Sequence, residues 1–222
     1  MAISATEENY LKAIFKLSGK DEQSVSTNAI ALSMSTAPAS VTDMLKRLTE
    51  KGYIIYAKYK GAKLSQKGKD TAIQLIRKHR LWETFMVEKL NFSWDEVHVV
   101  AEQLEHIQST KLIDELDAFL GFPKVDPHGD PIPDKHGNYE PIKHIFLTEL
   151  SPNVPGVIVG VKEHSTLFLQ YLEKVNLVLG TTVEVLSVFE YDQSLLIKIN
   201  QEAEQVITQK VAQNLYIQTA SL

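Results

Sequence analysis

His98, Glu102, Glu105 and His106 set two imidazoles and two carboxylates close together in the sequence. If a helix runs through them, 100° per residue brings all four onto one face within an arc of ~100°. Val97, Val100, Ala101, Leu104 and Ile107 then fall on the opposite side, apolar enough to pack. His79 and Glu83 form a second group, spaced i, i+4 on what reads as the preceding helix, and antiparallel packing would turn it toward the first. Oxygen and nitrogen donors in this arrangement suit divalent first-row metals held between helices. The competing reading is a solvated face carrying intrahelical pairs such as Glu102 with His106. One pair would favour that reading; two groups on adjacent helices favour metal. A hydrolase reading rests on Glu102-Gln103-Leu104-Glu105-His106, an H-x-x-E-H zinc motif with its first His replaced by Glu. That replacement removes a ligand, and neither H-E-x-x-H nor G-x-S-x-G occurs, so an enzyme is not expected.

Composition limits what surrounds these groups. There are no cysteines, so thiolate metal sites and disulfides are excluded and any metal must take oxygen or nitrogen donors. No apolar run approaches the ~20 residues of a membrane span. The acidic opening MAISATEENY does not read as a secretory leader, which predicts a cytoplasmic protein. The net charge of -5 hides a division: residues 1–80 hold 14 Lys+Arg against 7 Asp+Glu, and the remainder holds 9 against 21. That asymmetry suits a basic DNA-contacting part joined to an acidic sensing part.

The elements that must position the chemistry are legible from periodicity and caps. Residues 6–18 read as a helix with Thr6 as N-cap, followed by helices at 26–34 and 38–51, the last begun by Pro38 and ended by Gly52. Two short helices across the link Ser35 to Ala37 form a helix-turn-helix pattern. The run YIIYAKYKGAKL, with turn chemistry at Lys60-Gly61, predicts a hairpin wing. On this reading Thr36, Pro38, Ala39, Ser40, Thr42 and Asp43 lie near base edges. Lys46 and Arg47, with Lys58, Lys60 and Lys63 of the wing, lie near phosphates. A long helix follows over about 69–90. Ser93 and Glu96 then fit a capping box that opens a helix over 94–108, and a further helix runs to Leu120 before Gly121. Residues 121–143 hold five prolines and three glycines and read as a linker. Short β-type runs at 157–161, 182–188, 195–199 and 205–208, interrupted by a helix over about 164–174, predict a small β-barrel. The fold class is therefore α+β multidomain. A winged helix-turn-helix is expected at 1–70, a helical metal-binding and dimerisation domain at 71–122, a linker at 123–145 and an SH3-like β domain at 146–222.

In these residues and their spacing the chain resembles the diphtheria toxin repressor / manganese transport regulator family of metal-dependent repressors over nearly its whole length. The likeness rests on Thr6-Glu7-Glu8-Asn9-Tyr10-Leu11, Ser40-Val41-Thr42 to Gly52, Arg77-Lys78-His79-Arg80-Leu81-x-Glu83, Val97-His98, Glu102-x-x-Glu105-His106 and Asp130-Pro131-Ile132-Pro133. It implies a primary site of Glu102, Glu105 and His106, completed from the first helix. It also implies an ancillary site of His79, Glu83 and His98, to which Glu163 and His164 of the SH3-like domain are the nearest additions. Iron-type members carry Met and manganese-type members Asp at the position of Asn9, so Asn9, Glu7 or Glu8 completes the primary site here. Iron-type members carry Cys at position 102; Glu102 is a hard donor and favours Mn2+ over Fe2+, with Co2+, Ni2+ or Zn2+ able to substitute in vitro. The implied partners are double-stranded, palindromic operator DNA and a second copy of the chain. In the expected switch, crowded carboxylates repel one another without metal and leave the first helix loosely placed.

Overall fold

The computed structural model describes residues 3–19, 21–57, 60–139 and 143–219. They divide into two units, each discontinuous in sequence. One takes the chain up to His79 with Glu102–Glu115 and Pro133–Asn138; the other takes Arg80–Ala101, Leu116–Ile132 and the chain from Tyr139 onward.

In the first unit, α1 (Ala5–Ser18) is capped by Ser4 rather than Thr6. The Ser4 hydroxyl accepts from the Glu7 N–H (3.3 Å), and the Glu7 carboxylate accepts from the Ser4 N–H (2.9 Å). This reciprocal box satisfies two N–H groups and leaves Thr6 inside the first turn. Next come α2 (Thr27–Ser33), capped by Ser26, and α3 (Pro38–Glu50), where the missing N–H of Pro38 costs nothing at the first turn. Val41, Leu45 and Leu48, at helical spacing, are fully buried in a core with Leu11, Ile14 and Ile30. The hairpin of β1 (Ile54–Ala57) and β2 (Gly61–Leu64) is the wing. Val25 and Ala62 exchange two backbone hydrogen bonds of 2.8 Å, which pin the wing to the entry of α2. Gly61 makes that approach possible: its φ is +87°, and a Cβ there would stand 2.4 Å from the Val25 carbonyl oxygen.

Three helices carry the candidate ligands onward. α4 (Gln66–Leu90) begins earlier than the sequence suggests, and α6 (Thr110–Phe119) ends before Gly121. Between them α5 spans only Val97–Leu104, where the sequence predicts 94–108. Glu96 closes half of the expected box by accepting from the Ser93 N–H (3.2 Å), but residues 94–96 form a turn, and so do Glu105 and His106.

The second unit contains a six-stranded antiparallel sheet in the order β3-β8-β4-β5-β6-β7. Its strands are β3 (Ile145–Phe146), β4 (Pro155–Val161), β5 (Thr182–Val188), β6 (Leu195–Ile199), β7 (Ala203–Ile207) and β8 (Leu215–Gln218). Alternate residues of β6, Leu195, Ile197 and Ile199, enter a core that α7 (Thr166–Lys174) covers with Leu169 and Leu172. The sequence marks β4 to β7 and α7 but not β3 or β8. The Pro/Gly-rich segment forms no helix among its described residues, yet it is not a solvated linker. Asp126, His128 and Ile132 are buried in it. The Asp126 carboxylate accepts from the N–H of His128 (2.8 Å) and of Asp130 (3.0 Å), and the His128 carbonyl accepts from the N–H of Val161 (3.0 Å). Gly129, at φ +86°, lies so close to β4 that a Cβ would stand 2.1 Å from the Val159 carbonyl oxygen. No helix among the described residues is long and apolar enough to cross a membrane.

Candidate metal centres

The first unit gathers Glu8, His79, Glu102, Glu105 and His106. Glu105 is fully buried, Glu8 and His79 are buried, and Glu102 and His106 are half-buried. Ligand atoms of His79, Glu102 and Glu105 all lie within 4.8 Å of one another. His79 Nδ1 is 2.6 Å from Glu105 Oε2, and His106 Nδ1 is 2.6 Å from Glu8 Oε2. A carboxylate only accepts, so Nδ1 of His106 donates to Glu8; in the neutral ring Nε2 keeps its lone pair, and it stands 3.8 Å from Glu105 Oε1.

Three first-helix residues are candidates for the partner. Glu7 is engaged elsewhere: Lys51 Nζ reaches its two oxygens at 2.7 and 2.9 Å. Burial opposes the Glu7 charge, but Lys51 and the capping N–H of Ser4 outweigh it and hold the carboxyl below its ordinary range. Glu8 faces His106 and also accepts from Gln108 Nε2 (2.9 Å). Asn9 Oδ1 is buried and has no hydrogen-bond partner among the described residues. That orphaned oxygen, on the residue next to Glu8 in α1, is a donor of the kind a divalent cation takes.

The carboxylates do not stand as a set of mutually repelling charges. Lys12, one turn after Glu8 on α1, places its ammonium 2.7 Å from Glu102 Oε1 and 2.6 Å from Glu105 Oε1. Lys78 adds a second cation. Burial lowers its pKa, opposed by the charges of Glu8 and Glu105. Lys12 thus ties α1 across to Glu102 and Glu105, because a buried carboxylate pair demands a counter-charge.

The second unit builds a different cluster. Ligand atoms of Glu83, Asp126 and His128, all buried, lie within 4.8 Å of one another, and His98, more exposed, places Nδ1 3.4 Å from Glu83 Oε1. His128 Nε2 is 2.8 Å from the Trp94 carbonyl oxygen. A carbonyl only accepts, so Nε2 donates, which leaves Nδ1 facing Glu83 (3.7 Å) and Asp126 (3.9 Å). Burial pushes the Asp126 carboxyl up to about 7, helped by Asp130 and Glu83 and opposed by Arg80 and His128. Burial disfavours charge on His128, but Glu83 and Asp126 overcome it and raise its pKa. Arg80 holds the acids from the side, 3.5 Å from Asp126 and 3.0 Å from Asp130. The sequence reading missed Asp126 and His128. The only signal was the acid and imidazole of Asp126-Pro127-His128-Gly129-Asp130 inside a segment taken for a linker.

The other expected ligands are placed as follows. His79 precedes Glu83 by one turn on α4, and its Nδ1 is committed to Glu105. His164 stacks on His128 (ring centroids 4.9 Å, 21° between planes), and its Nε2 lies 3.1 Å from the Val161 carbonyl oxygen. Glu163 accepts from the Ser165 hydroxyl (2.6 Å).

On the winged unit, Pro38, Ala39, Ser40, Asp43, Lys46 and Arg47 form the exposed side of α3, with Thr36 and Thr42 half-buried beside them. Thr42 donates to the Pro38 carbonyl (3.0 Å), and Lys46 pairs with Asp43 (3.2 Å), which offsets the repulsion Asp43 would exert on phosphate. Ser26, Asn28, Pro38, Thr42, Lys46 and Tyr56 line a concavity between the helices and the wing. Lys60 and Lys63 are exposed; Lys58 lies outside the described residues.

A winged helix joined to helices with buried carboxylate–imidazole clusters and a β domain defines a class of ligand-responsive DNA-binding regulators. Comparison with known proteins gives the family. Residues 2–62 match a model described as "Iron dependent repressor, N-terminal DNA binding domain", residues 65–134 one described as "Iron dependent repressor, metal binding and dimerisation domain", and residues 145–219 the FeoA domain. The iron-dependent repressor IdeR of Mycobacterium leprae is 30% identical over 163 residues, 69% of this chain and 70% of that protein. IdeR of Mycobacterium tuberculosis is 32% identical over 130 residues, 58% of this chain and 55% of its own length, so this match spans just over half of that relative. A solved manganese-dependent transcriptional repressor in complex with manganese superposes with a TM-score of 0.82 at 29% identity, covering 96% of this chain and 99% of that one. The manganese regulator SloR gives 0.71 at 34%, covering 96% and 98%. The chain belongs to the iron-dependent repressor family, in line with the resemblance read from its motifs. Members are DNA-binding transcriptional repressors rather than enzymes, which sets the hydrolase reading aside.

Proposed function

We propose that this protein is a cytoplasmic repressor that binds palindromic operator DNA as a homodimer when loaded with Mn2+, with Fe2+ the next candidate effector. The observation that carries the choice of metal is a donor set of carboxylates, imidazoles and one orphaned amide oxygen, with no sulfur. Both manganese- and iron-dependent relatives occur, and the hard donor Glu102 favours manganese. Co2+, Ni2+ and Zn2+ bind the same donors in vitro, since Mn2+ is the weakest of the divalent series at a given site.

In this reading Glu102, Glu105 and His106, with Glu8 and Asn9 of α1, hold the first ion. Glu83, His98, Asp126 and His128 serve the second, with His164 stacked on His128. A bound divalent ion supplies positive charge at the convergence of these acids. Glu8 and Asn9 join α1, and through it the winged domain at 1–70, to the helical domain at 71–122; residues 123–145 lead to the SH3-like domain at 146–222. The exposed side of α3 reads bases, Lys46, Arg47, Lys58, Lys60 and Lys63 meet phosphate, and residues 94–120 pair two copies.

Fluorescence anisotropy on DNA from the chain's own upstream region, at fixed ionic strength, tests the reading. Mn2+ is expected to tighten binding at least a hundredfold. Equal binding with chelator would refute metal dependence, and light scattering that shows a monomer bound at full affinity would refute the dimer.

A further inference from the structure

The chain supplies a cation of its own to the first centre. Lys12 is buried, and its ammonium bonds to one oxygen of Glu102 (2.7 Å) and one of Glu105 (2.6 Å), the two residues that the foregoing reading assigns to the ion. An N–H donor aimed at a carboxylate oxygen takes one of its lone-pair sites and competes with a metal for that oxygen. An ammonium and a divalent ion held by the same oxygens would stand a few ångströms apart in a site screened from water, where like charges repel strongly. The two cations therefore exclude each other.

The geometry also gives Lys12 a second effect. It sits on α1 one turn after Glu8, while Glu102 and Glu105 lie at and just beyond the end of α5. Its two bonds thus join the same two chain segments that Glu8 joins through His106. Metal entry exchanges one tether of α1 for another; it does not order a free helix. The long, flexible stem of lysine lets the ammonium withdraw without moving the α1 backbone.

We propose that Lys12 is a built-in competitor for the divalent ion at the Glu102–Glu105 centre, holding both carboxylates in the metal-free protein and released when metal binds. This rests on the assignment of that centre to metal and adds the residue that sets its threshold.

The experiment uses the full chain, with Mn2+ titrated by calorimetry into wild type, Lys12→Met, Lys12→Arg and Glu105→Ala. The heat lost in Glu105→Ala identifies the first centre. Lys12→Met is expected to bind Mn2+ there at least tenfold more tightly than wild type, and Lys12→Arg no more tightly than wild type. If the heat is present and Lys12→Met shows unchanged or weaker affinity, the competition is overturned while the metal centre stands. If wild type shows no heat that Glu105→Ala removes, both are overturned. Should Lys12→Met fail to fold, the wild-type protein labelled with 15N at lysine Nζ decides. A slowly exchanging Lys12 ammonium signal is expected in the metal-free protein and its loss at saturating Zn2+; persistence through saturation overturns the proposal.

Discussion

The two acidic clusters meet the same physical problem in different ways. In the first, Glu102 and Glu105 are neutralised by a lysine that bonds them directly. In the second, Arg80 stands to one side and Asp126 is pushed toward its protonated form, up to about 7. Buried carboxylates without metal need either a counter-cation or a proton. On the proposed reading, a metal entering the first cluster displaces an ammonium, whereas a metal entering the second displaces a proton.

The largest effect expected from breaking this contrast is at Glu105. Glu105→Ala removes the fully buried partner of both Lys12 and His79 and strips the ammonium of one of its two carboxylates. A loss of roughly 3 kcal/mol in stability of the metal-free protein is expected, the usual scale for breaking a buried ion pair, together with loss of metal-stimulated operator binding. Chemical denaturation and anisotropy measure the two.

At the second cluster the contrast appears as pH dependence. The folded protein holds the Asp126 proton more tightly than the unfolded chain does, so this group's stabilising contribution is complete below about pH 4 and is lost as pH rises to about 7. Metal that takes Asp126 as a ligand releases that proton, so affinity is expected to fall about tenfold per pH unit below 7. Calorimetry in buffers of different ionisation enthalpy counts the proton, and Asp126→Asn should abolish both the slope and the release. Gly129→Ala tests the turn that holds the cluster: a left-handed φ and a Cβ 2.1 Å from the Val159 carbonyl oxygen predict a loss of roughly 1–3 kcal/mol and weaker metal binding there. The first centre should be unaffected. Smaller still, Asn9→Asp replaces a neutral donor by a charged one and should tighten Mn2+ at the first centre about tenfold, or roughly 1.4 kcal/mol. Unchanged affinity in a titration would remove Asn9 from the site.

How far the sequence announces all this depends on periodicity. The winged unit was legible because α3 repeats apolar residues at helical spacing, begins with Pro38 and stops at Gly52, and because Lys60-Gly61 sits between β-type runs. Glu102-x-x-Glu105-His106 was legible for the same reason. The end of α5 was not. Continuing the helix would satisfy local propensity, but Glu105 and His106 are drawn to Lys12, His79 and Glu8, contacts that only tertiary structure supplies. Lys12 reads in sequence as an ordinary lysine one turn along α1, since its partners lie some 90 residues away. Asp126 and His128 were hidden because a loop has no period, and five prolines in 121–143 made the segment look solvated. The short strands β3 and β8 escaped for want of length.

The three-ring stack in the second unit has an optical consequence. The Trp94 indole lies nearly parallel to the His128 ring (centroids 6.1 Å, 11° between planes), and His128 in turn stacks on His164. An imidazolium draws electron density from an excited indole far more strongly than a neutral ring does, so light emitted by Trp94 reports the charge state of His128. Trp82 packs edge-on to Phe85, away from this stack's ring contacts. On the proposed reading, an ion that takes His128 as a ligand changes the emission of the Trp94 stacked on it.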